Sequence, residues 1–420
     1  MRIALLGGSL FWFLAAGQAV QSQTDRIRAD VSYLADDRLA GRRIGSPGAD
    51  SAAAYVARRF SALGLKPAPR LGGWLQAFTV SPDAPAAHGS DVGGKTGSNV
   101  IGVLPGRDPA LAEEYVVIGA HYDHLGLGGR GSLDPDSVGV PHNGADDNAS
   151  GVAALLEVAR RLALTPPARS VLFLAFSGEE LGLLGSTYYV KNPVVPNERV
   201  VAMFNFDMVG RLRDGKLIAD GVETATEFRA LLDSLNITAR FALTAKGGGY
   251  GPSDHTAFTV VNRPVLHFWT GTHEDYHRTT DDSPRINFPG IERIAGFAAE
   301  LTRAVGNRGA GLTFVESTPP AAPSGSSRTS GYGAYLGTVP DMSDNPGGVQ
   351  LSGVRAGSPA EKAGLKGGDI IVRIGPHEVP DLQAMTDALR AQAPGDVVDI
   401  TFRRNGELLT VKVTLGQRGA

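Results

Sequence analysis

SVLFLAFSGEE, residues 170–180, decides the fold. From Val171 to Phe176 every side chain is apolar, with no polar residue between them. A strand with one face in water alternates polar and apolar residues, so an unbroken apolar run belongs to a strand covered on both faces. The run ends in Ser-Gly-Glu-Glu, which puts two carboxylates just past its carboxyl end. Comparable runs lie on either side: SNVIGVLPG at 98–106, YVVIGAHYD at 115–123, VVAMFNFDM at 200–208 and PVLHFWTG at 264–271. Helical patterns separate them, notably ASGVAALLEVARRLAL at 149–164 and TATEFRALLDSLN at 224–236. This alternation predicts a three-layer α/β/α sandwich around a mixed, mostly parallel central sheet.

Working outward, residues 25–65 read as two helices around a Gly/Pro turn, with Ala54, Val56, Ala57 and Phe60 forming an apolar stripe at helical spacing. Residues 75–97 are polar and Gly-rich and read as a loop, and a helix over 290–307 closes a domain spanning 24–310. Residues 311–330, rich in Pro, Ser and Gly, read as a flexible linker to a small β-rich domain at 331–418. At the start, MRIALLGGSLFWFLAAGQAVQSQ (1–23) has the pattern of a signal peptide: Arg2, an apolar run from Ile3 to about Ala16, then Gly17 and Ala19. That run is short of the roughly 20 apolar residues of a membrane span. The expectation is export to the periplasm or medium and a mature chain without a stable membrane span; an uncleaved anchor is the alternative. The 420 residues hold no Cys, which excludes disulfides and thiolate catalysis, and a net charge of -3 gives no reason to expect nucleic acid as a partner.

Metal-capable side chains recur at strand ends. His121 and Asp123 end one run, Glu179 and Glu180 follow the next, Asp207 ends a third and His277 lies just beyond a fourth. Asp146, Asp147 and Asn148 precede the helix at 149–164. In open α/β sheets ligands collect outside the carboxyl ends of the strands, so these groups should share one edge. Carboxylates gathered in one cleft repel each other unless protons or cations neutralise them. Imidazoles with carboxylates and no thiolate suit zinc or a similar divalent ion better than calcium. Taken singly, each acid has a plainer role: Asp146 and Asp147 stand where helix N-caps belong, and a Glu-Glu pair in a loop is usually solvated.

In order, GAHYDHLG (119–126), GADDNASG (144–151), FSGEELGLLGS (176–186), FNFDMVGR (204–211) and EDYHRTTDD (274–282) resemble the bacterial leucyl-aminopeptidase family of co-catalytic zinc peptidases, which includes glutamate carboxypeptidase II. The resemblance begins at LADDRLAGRRIGSPG (34–48) and runs to about Asn307. It implies two zinc ions: His121 and Asp207 on one, Glu180 and His277 on the other, Asp147 bridging both. It further implies that Asp123 orients His121 and that Glu179 is the general base. Such a centre would share a hydroxide between the ions and hydrolyse an amide bond. An aminopeptidase is expected; a carboxypeptidase or dipeptidase on the same scaffold is the alternative.

Ser253, Asp254 and His255, in KGGGYGPSDH (246–255), match a family segment near the specificity pocket and are assigned to the substrate wall, although helix capping and local packing account for them equally well. The three adjacent residues are not a Ser-His-Asp triad, and no GxSxG elbow occurs. At the C-terminus, GSPAEKAGLKGGDIIVRIG (357–375) and the segment after it resemble a bacterial PDZ domain. That resemblance places a carboxylate-binding loop at Tyr335, Leu336 and Gly337, next to an edge strand that would bind a protein C-terminus or extended peptide. A protein whose peptidase centre is idle, acting only through this domain, is the rival to the enzyme reading.

Overall fold

The structure is a computed structural model that describes residues 22–82, 84, 91–129, 131–134, 136–317, 334–340, 347–355, 357–380 and 382–416. The N-terminal unit contains α1 (Gln23–Leu34), α2 (Pro47–Ala62), β1 (Lys66–Pro67), β2 (Leu75–Thr79), β3 (Thr96–Leu104) and β4 (Tyr115–His121). Next come α3 (Gly151–Leu164), β5 (Ser170–Phe176), α4 (Leu184–Lys191), β6 (Val200–Phe206) and β7 (Lys216–Asp220). Then follow α5 (Phe228–Ala239), β8 (Ala242–Lys246), α6 (His255–Val260), β9 (Val265–Trp269) and α7 (Phe288–Gly306). The C-terminal unit contains β10 (Thr338–Pro340), β11 (Val349–Val354), α8 (Pro359–Lys362), β12 (Ile370–Ile374), β13 (His377–Glu378), α9 (Leu382–Arg390), β14 (Val397–Arg404) and β15 (Glu407–Thr414).

The larger sheet has the order β1-β3-β5-β4-β6-β9-β7-β8, with β2 also paired to β3. Its centre, β5-β4-β6-β9, is parallel, and antiparallel pairs of β3 with β5 and β7 with β9 flank it. Parallel neighbours need crossovers, which α3 and α4 provide. Alternation along β4 sorts its side chains: Val116, Ile118 and Ala120 enter a core shared with α1, α2, α3 and α7. Val117 enters the opposite core, with Tyr189 of α4 and Phe258 of α6. β5 divides in the same way, Phe173 to one side and Leu172 and Leu174 to the other. Both faces are covered, which is why residues 116–120 and 171–176 include no polar side chain. The expected three-layer sandwich with a mixed sheet is what forms.

Two expectations need correction. Residues 75–79, read as loop, form β2, which pairs with β3 from Leu75 opposite Val100 to Thr79 opposite Thr96. Exposed and buried residues alternate along it, with Gln76 and Phe78 turned inward, and five residues are too few for that pattern to stand out among the glycines that follow. Residues 311–317 are not free linker: Phe314 bridges to Ala225, Val315 N–H donates to the Thr224 carbonyl at 2.9 Å, and Gly249 N–H donates to Ser317 Oγ at 3.1 Å. The rest of the expected linker, 318–330, and residues 1–21 of the expected signal peptide lie outside the described residues. α1 starts at Gln23 with Ser22 as its N-cap. Among the described residues no helix is long and apolar enough to cross a membrane.

The C-terminal unit has its own sheet, β10-β11-β12-β14-β15, over a core that includes Leu336, Leu351, Ile371, Ile374, Ile400 and Phe402. β10 lies at its edge, immediately after Tyr335, Leu336 and Gly337. Leu336 is a core residue and its carbonyl accepts from Ala360 N–H at 2.9 Å; Tyr335 bridges to Gly416, and Gly337 turns with φ 82°.

Candidate metal centre

The parallel strands β4, β5 and β6 end side by side. His121 is the last residue of β4, Asp207 follows β6, and Glu179 and Glu180 follow β5 after a turn at Gly178. Asp147 comes from the turn before α3. Asp146 and Asp147 are not N-caps here: the N–H groups of both donate to Asp281 Oδ2, at 2.9 and 3.0 Å, and Asp146 Oδ1 accepts from Gly210 N–H at 2.6 Å. Asn148 takes the capping part, its Oδ1 accepting from Gly151 N–H at 2.9 Å. A side chain at Gly151 would put a Cβ 2.2 Å from that Oδ1 and 2.6 Å from the Phe206 carbonyl, so only glycine lets α3 start this close to β6. His277 arrives on the loop after β9, at φ 55°, with its ring stacked on Tyr276.

These elements bring together all five expected ligands. His121 Nε2 lies 3.3 Å from Asp147 Oδ1 and 3.3 Å from Asp207 Oδ1. On the other side, His277 Nε2 lies 3.2 Å from Asp147 Oδ2 and 3.2 Å from Glu180 Oε2. Asp147 thus turns one oxygen to each histidine, with Asp207 completing one group and Glu180 the other. Glu179 Oε2 stands 3.9 Å from His121 Nε2, beside both groups. Asp123 sits behind His121, where its main-chain carbonyl, 3.2 Å from Nδ1, is nearer than its carboxylate at 3.8 Å. The Asp123 carboxylate instead accepts from Glu179 N–H at 3.1 Å, so it also fixes the turn that carries the two glutamates.

The electrostatics divide the acids. Burial opposes ionisation of Asp147, yet hydrogen bonds from His121 and His277 hold it well below the usual carboxylate range. Glu180 behaves alike: burial is outweighed by His277 and His124, and its value falls to about 2. Glu179 goes the other way, raised well above its ordinary value by burial, with Asp207 and Glu180 adding to the rise against the pull of His121. Burial also lifts Asp123 to about 6. Two carboxylates held charged between imidazoles and a third that keeps a high proton affinity have separable roles.

Sequence reading missed two contributors. His124 Nδ1 lies 2.6 Å from Glu180 Oε1, and His124 groups with Asp147 and Glu180 as a possible ligand set. Its place in HYDHLG, three residues past His121, was the available signal. Asp281, in the quoted EDYHRTTDD, holds the Asp146-Asp147 backbone and pairs with Arg211 at 3.2 Å. Ser253, Asp254 and His255, expected at a substrate wall, lie in the layer behind the ligands. All three are almost wholly closed to solvent, Ser253 Oγ accepts from Asn205 at 2.8 Å, and the His255 ring stacks on His267. They pack beneath the site because α6 lies against β6 and β9.

The residues fit zinc. Nitrogen and oxygen donors converge to 3.2–3.3 Å on both sides of one carboxylate, and imidazole with carboxylate is a borderline-metal donor set.

The three-layer α/β fold is similar to that of solved zinc-dependent exopeptidases. A Zn-dependent exopeptidase from Parabacteroides distasonis superimposes with a TM-score of 0.55 at 21% identity, covering 67% of this chain and 97% of that one. BSAP, a zinc aminopeptidase from Bacillus subtilis, gives 0.53 at 18% identity over 68% of this chain and 95% of its own. Residues 99–302 match peptidase family M28 and residues 334–415 match the PDZ domain. Leupeptin-inactivating enzyme 1 of Streptomyces exfoliatus is 29% identical over 255 residues, 60% of this chain and 49% of that protein. Aminopeptidase YwaD of Bacillus subtilis is 31% identical over 231 residues, 50% of this chain and 44% of its own length. The chain spans about half the length of these relatives.

Proposed function

We propose that this chain is an exported, zinc-dependent exopeptidase of the aminopeptidase type, holding two zinc ions. The observation that carries the reading is the position of Asp147, one oxygen facing His121 and the other His277. His121 and Asp207 would hold one ion, Glu180 and His277 the other, and Asp147 both. When bound, zinc supplies Lewis acidity for the scissile carbonyl and lowers the proton affinity of water beside it. The protein's own part falls to Glu179, which these two ligand sets leave out and whose Oε2 stands 3.9 Å from His121 Nε2: it takes the proton of the attacking water and returns it to the departing amine. Asp123 fixes the Glu179 turn through its main-chain N–H. The PDZ domain presents the edge strand β10 to an extended peptide or protein C-terminus. Export rests on the N-terminal pattern of Arg2 and the apolar run after it.

The test is hydrolysis of aminoacyl-nitroanilides. Activity should vanish with a strong chelator, return with zinc, and be absent on N-blocked analogues. Activity that survives exhaustive chelation would sink the metal reading, and preference for N-blocked peptides with a free C-terminus would replace aminopeptidase with carboxypeptidase.

A further inference from the structure

The turn LADDRLAGRR, where the family resemblance begins, takes no part in the ligand set, yet it contributes the most deeply buried cation near it. Arg42 is fully closed to solvent. Its Nε donates to the Tyr122 carbonyl at 2.6 Å, Nη1 to Asn143 at 2.6 Å and also to Leu34, and Nη2 to Gly144 at 3.1 Å. Tyr122 lies between His121 and Asp123, and Asn143 and Gly144 open the turn that carries Asp147. One guanidinium therefore ties together the two backbone segments that carry His121, Asp123 and Asp147. Among the described residues no carboxylate lies within ion-pairing distance of it; its hydrogen bonds go to carbonyls.

The backbone is contorted to put it there. Ala40, Gly41 and Arg42 are left-handed in succession, with φ of 46°, 66° and 51°. For the two non-glycine residues this conformation is sterically strained. At Gly41 a Cβ would lie 2.3 Å from the Gly126 carbonyl and 2.5 Å from the His142 carbonyl, and Gly126 N–H donates to the Gly41 carbonyl at 3.1 Å. The turn is thus threaded into the roots of the long loop between the two segments. A buried charge is costly unless something of opposite sign is near. Here the counter-charges acting on it are Asp123, Asp147, Asp281 and Glu180, at or beside the centre.

We infer that Arg42 is a positioning residue of the metal centre: a fixed cation that sets the distance between the His121-Asp123 segment and the Asp147 turn. The inference rests on the two-zinc reading above. Lysine cannot reproduce the fork, because one ammonium cannot span carbonyls on three segments.

The experiment measures zinc affinity by competition with a chromogenic chelator in wild type, Arg42→Lys and Arg42→Met, with circular dichroism to verify the fold. Arg42→Met should bind zinc 10- to 100-fold more weakly, on the scale of lost outer-sphere partners. Arg42→Lys should stay at least about tenfold weaker than wild type, because charge without the fork does not restore the spacing. A folded Arg42→Met with wild-type affinity overturns the inference. If both variants fail to fold, arginine-selective ¹⁵N spectra of wild type decide: the slowly exchanging Arg42 Nε–H should shift when zinc is added to metal-free protein, and an unchanged resonance overturns the proposal. Wild type that takes up no zinc would refute the metal reading itself, a different outcome from either.

Discussion

Glu179 and Glu180 are adjacent and chemically identical, yet the structure drives them apart. Glu180 meets His277 and His124 and is held ionised, whereas Glu179 meets mainly burial and other acids and gains proton affinity. Under the proposed assignment, the side chain left out of the ligand set is the one with the higher proton affinity. Glu179→Gln keeps the shape and removes that capacity, so it should retain zinc at wild-type stoichiometry and lose turnover by about 10²–10⁴-fold. Parallel measurement of metal content and kcat checks this, and near-normal kcat would end the assignment. At this scale the expected ligands were legible because residue type and strand-end position coincide at His121, Glu180 and Asp207, while the family resemblance marked Asp147 and His277. His124 and Arg42 were not, since their importance lies in the direction of a side chain and in carbonyls remote in sequence. Leu34, Tyr122, Asn143 and Gly144 share nothing in the sequence that marks them as one guanidinium's partners.

The element with the least regular structure is the one that supplies His277. Its loop is held from across the cleft. His277 Nδ1 lies 2.9 Å from the Gly131 carbonyl, and Leu133 N–H donates to the His277 carbonyl at 2.9 Å. Asp134 accepts from Thr279 N–H at 2.8 Å, Thr279 Oγ1 at 2.8 Å and Arg278 Nη1 at 3.0 Å. Burial works against the charged form of Asp134, but these donors outweigh it and hold its value below the ordinary carboxylate range. A carboxylate depressed on folding stabilises the folded state above its unfolded value, near 4, and that stabilisation is lost as pH falls through the depressed value. Asp134→Asn should therefore lower the stability of the metal-free protein at about pH 7 by about 1 kcal/mol, a size that allows for solvent screening of a partly exposed group. The difference should shrink towards zero at about pH 3, as measured by urea unfolding at both pH values; a gap that does not change with pH would contradict the charge argument. The central strands were readable because burial on both faces leaves an unbroken apolar run. The loop that positions His277 was not, because it is built from Gly131, Leu133 and Asp134, about 145 residues away in sequence.

At the level of the whole chain, the peptidase and PDZ units have separate cores. The clusters that cover the two faces of the large sheet share no residue with the one centred on Leu351, Ile371 and Phe402. Residues 311–317 pack on the peptidase unit, so it reaches at least to Ser317, seven residues further than the sequence suggested. A contact between the units is made by Arg355, which donates to the Ser132 carbonyl at 2.5 Å, within the loop that steadies His277. A single hydrogen bond of this kind contributes about 1 kcal/mol, too little to hold the metal centre together and enough to bias the loop. Removing residues 318–420 should thus leave a folded peptidase unit with unchanged zinc stoichiometry. Its kcat/KM on a small nitroanilide should stay within about fivefold of the full chain, the factor to which about 1 kcal/mol corresponds. Hydrolysis of long peptides should fall further, because they lose the β10 edge as a second point of attachment. The comparison needs the two substrates side by side on both proteins. Loss of zinc on truncation would mean that the PDZ unit is part of the metal centre's scaffold, and equal losses on short and long substrates would mean that it does not hold substrate at all.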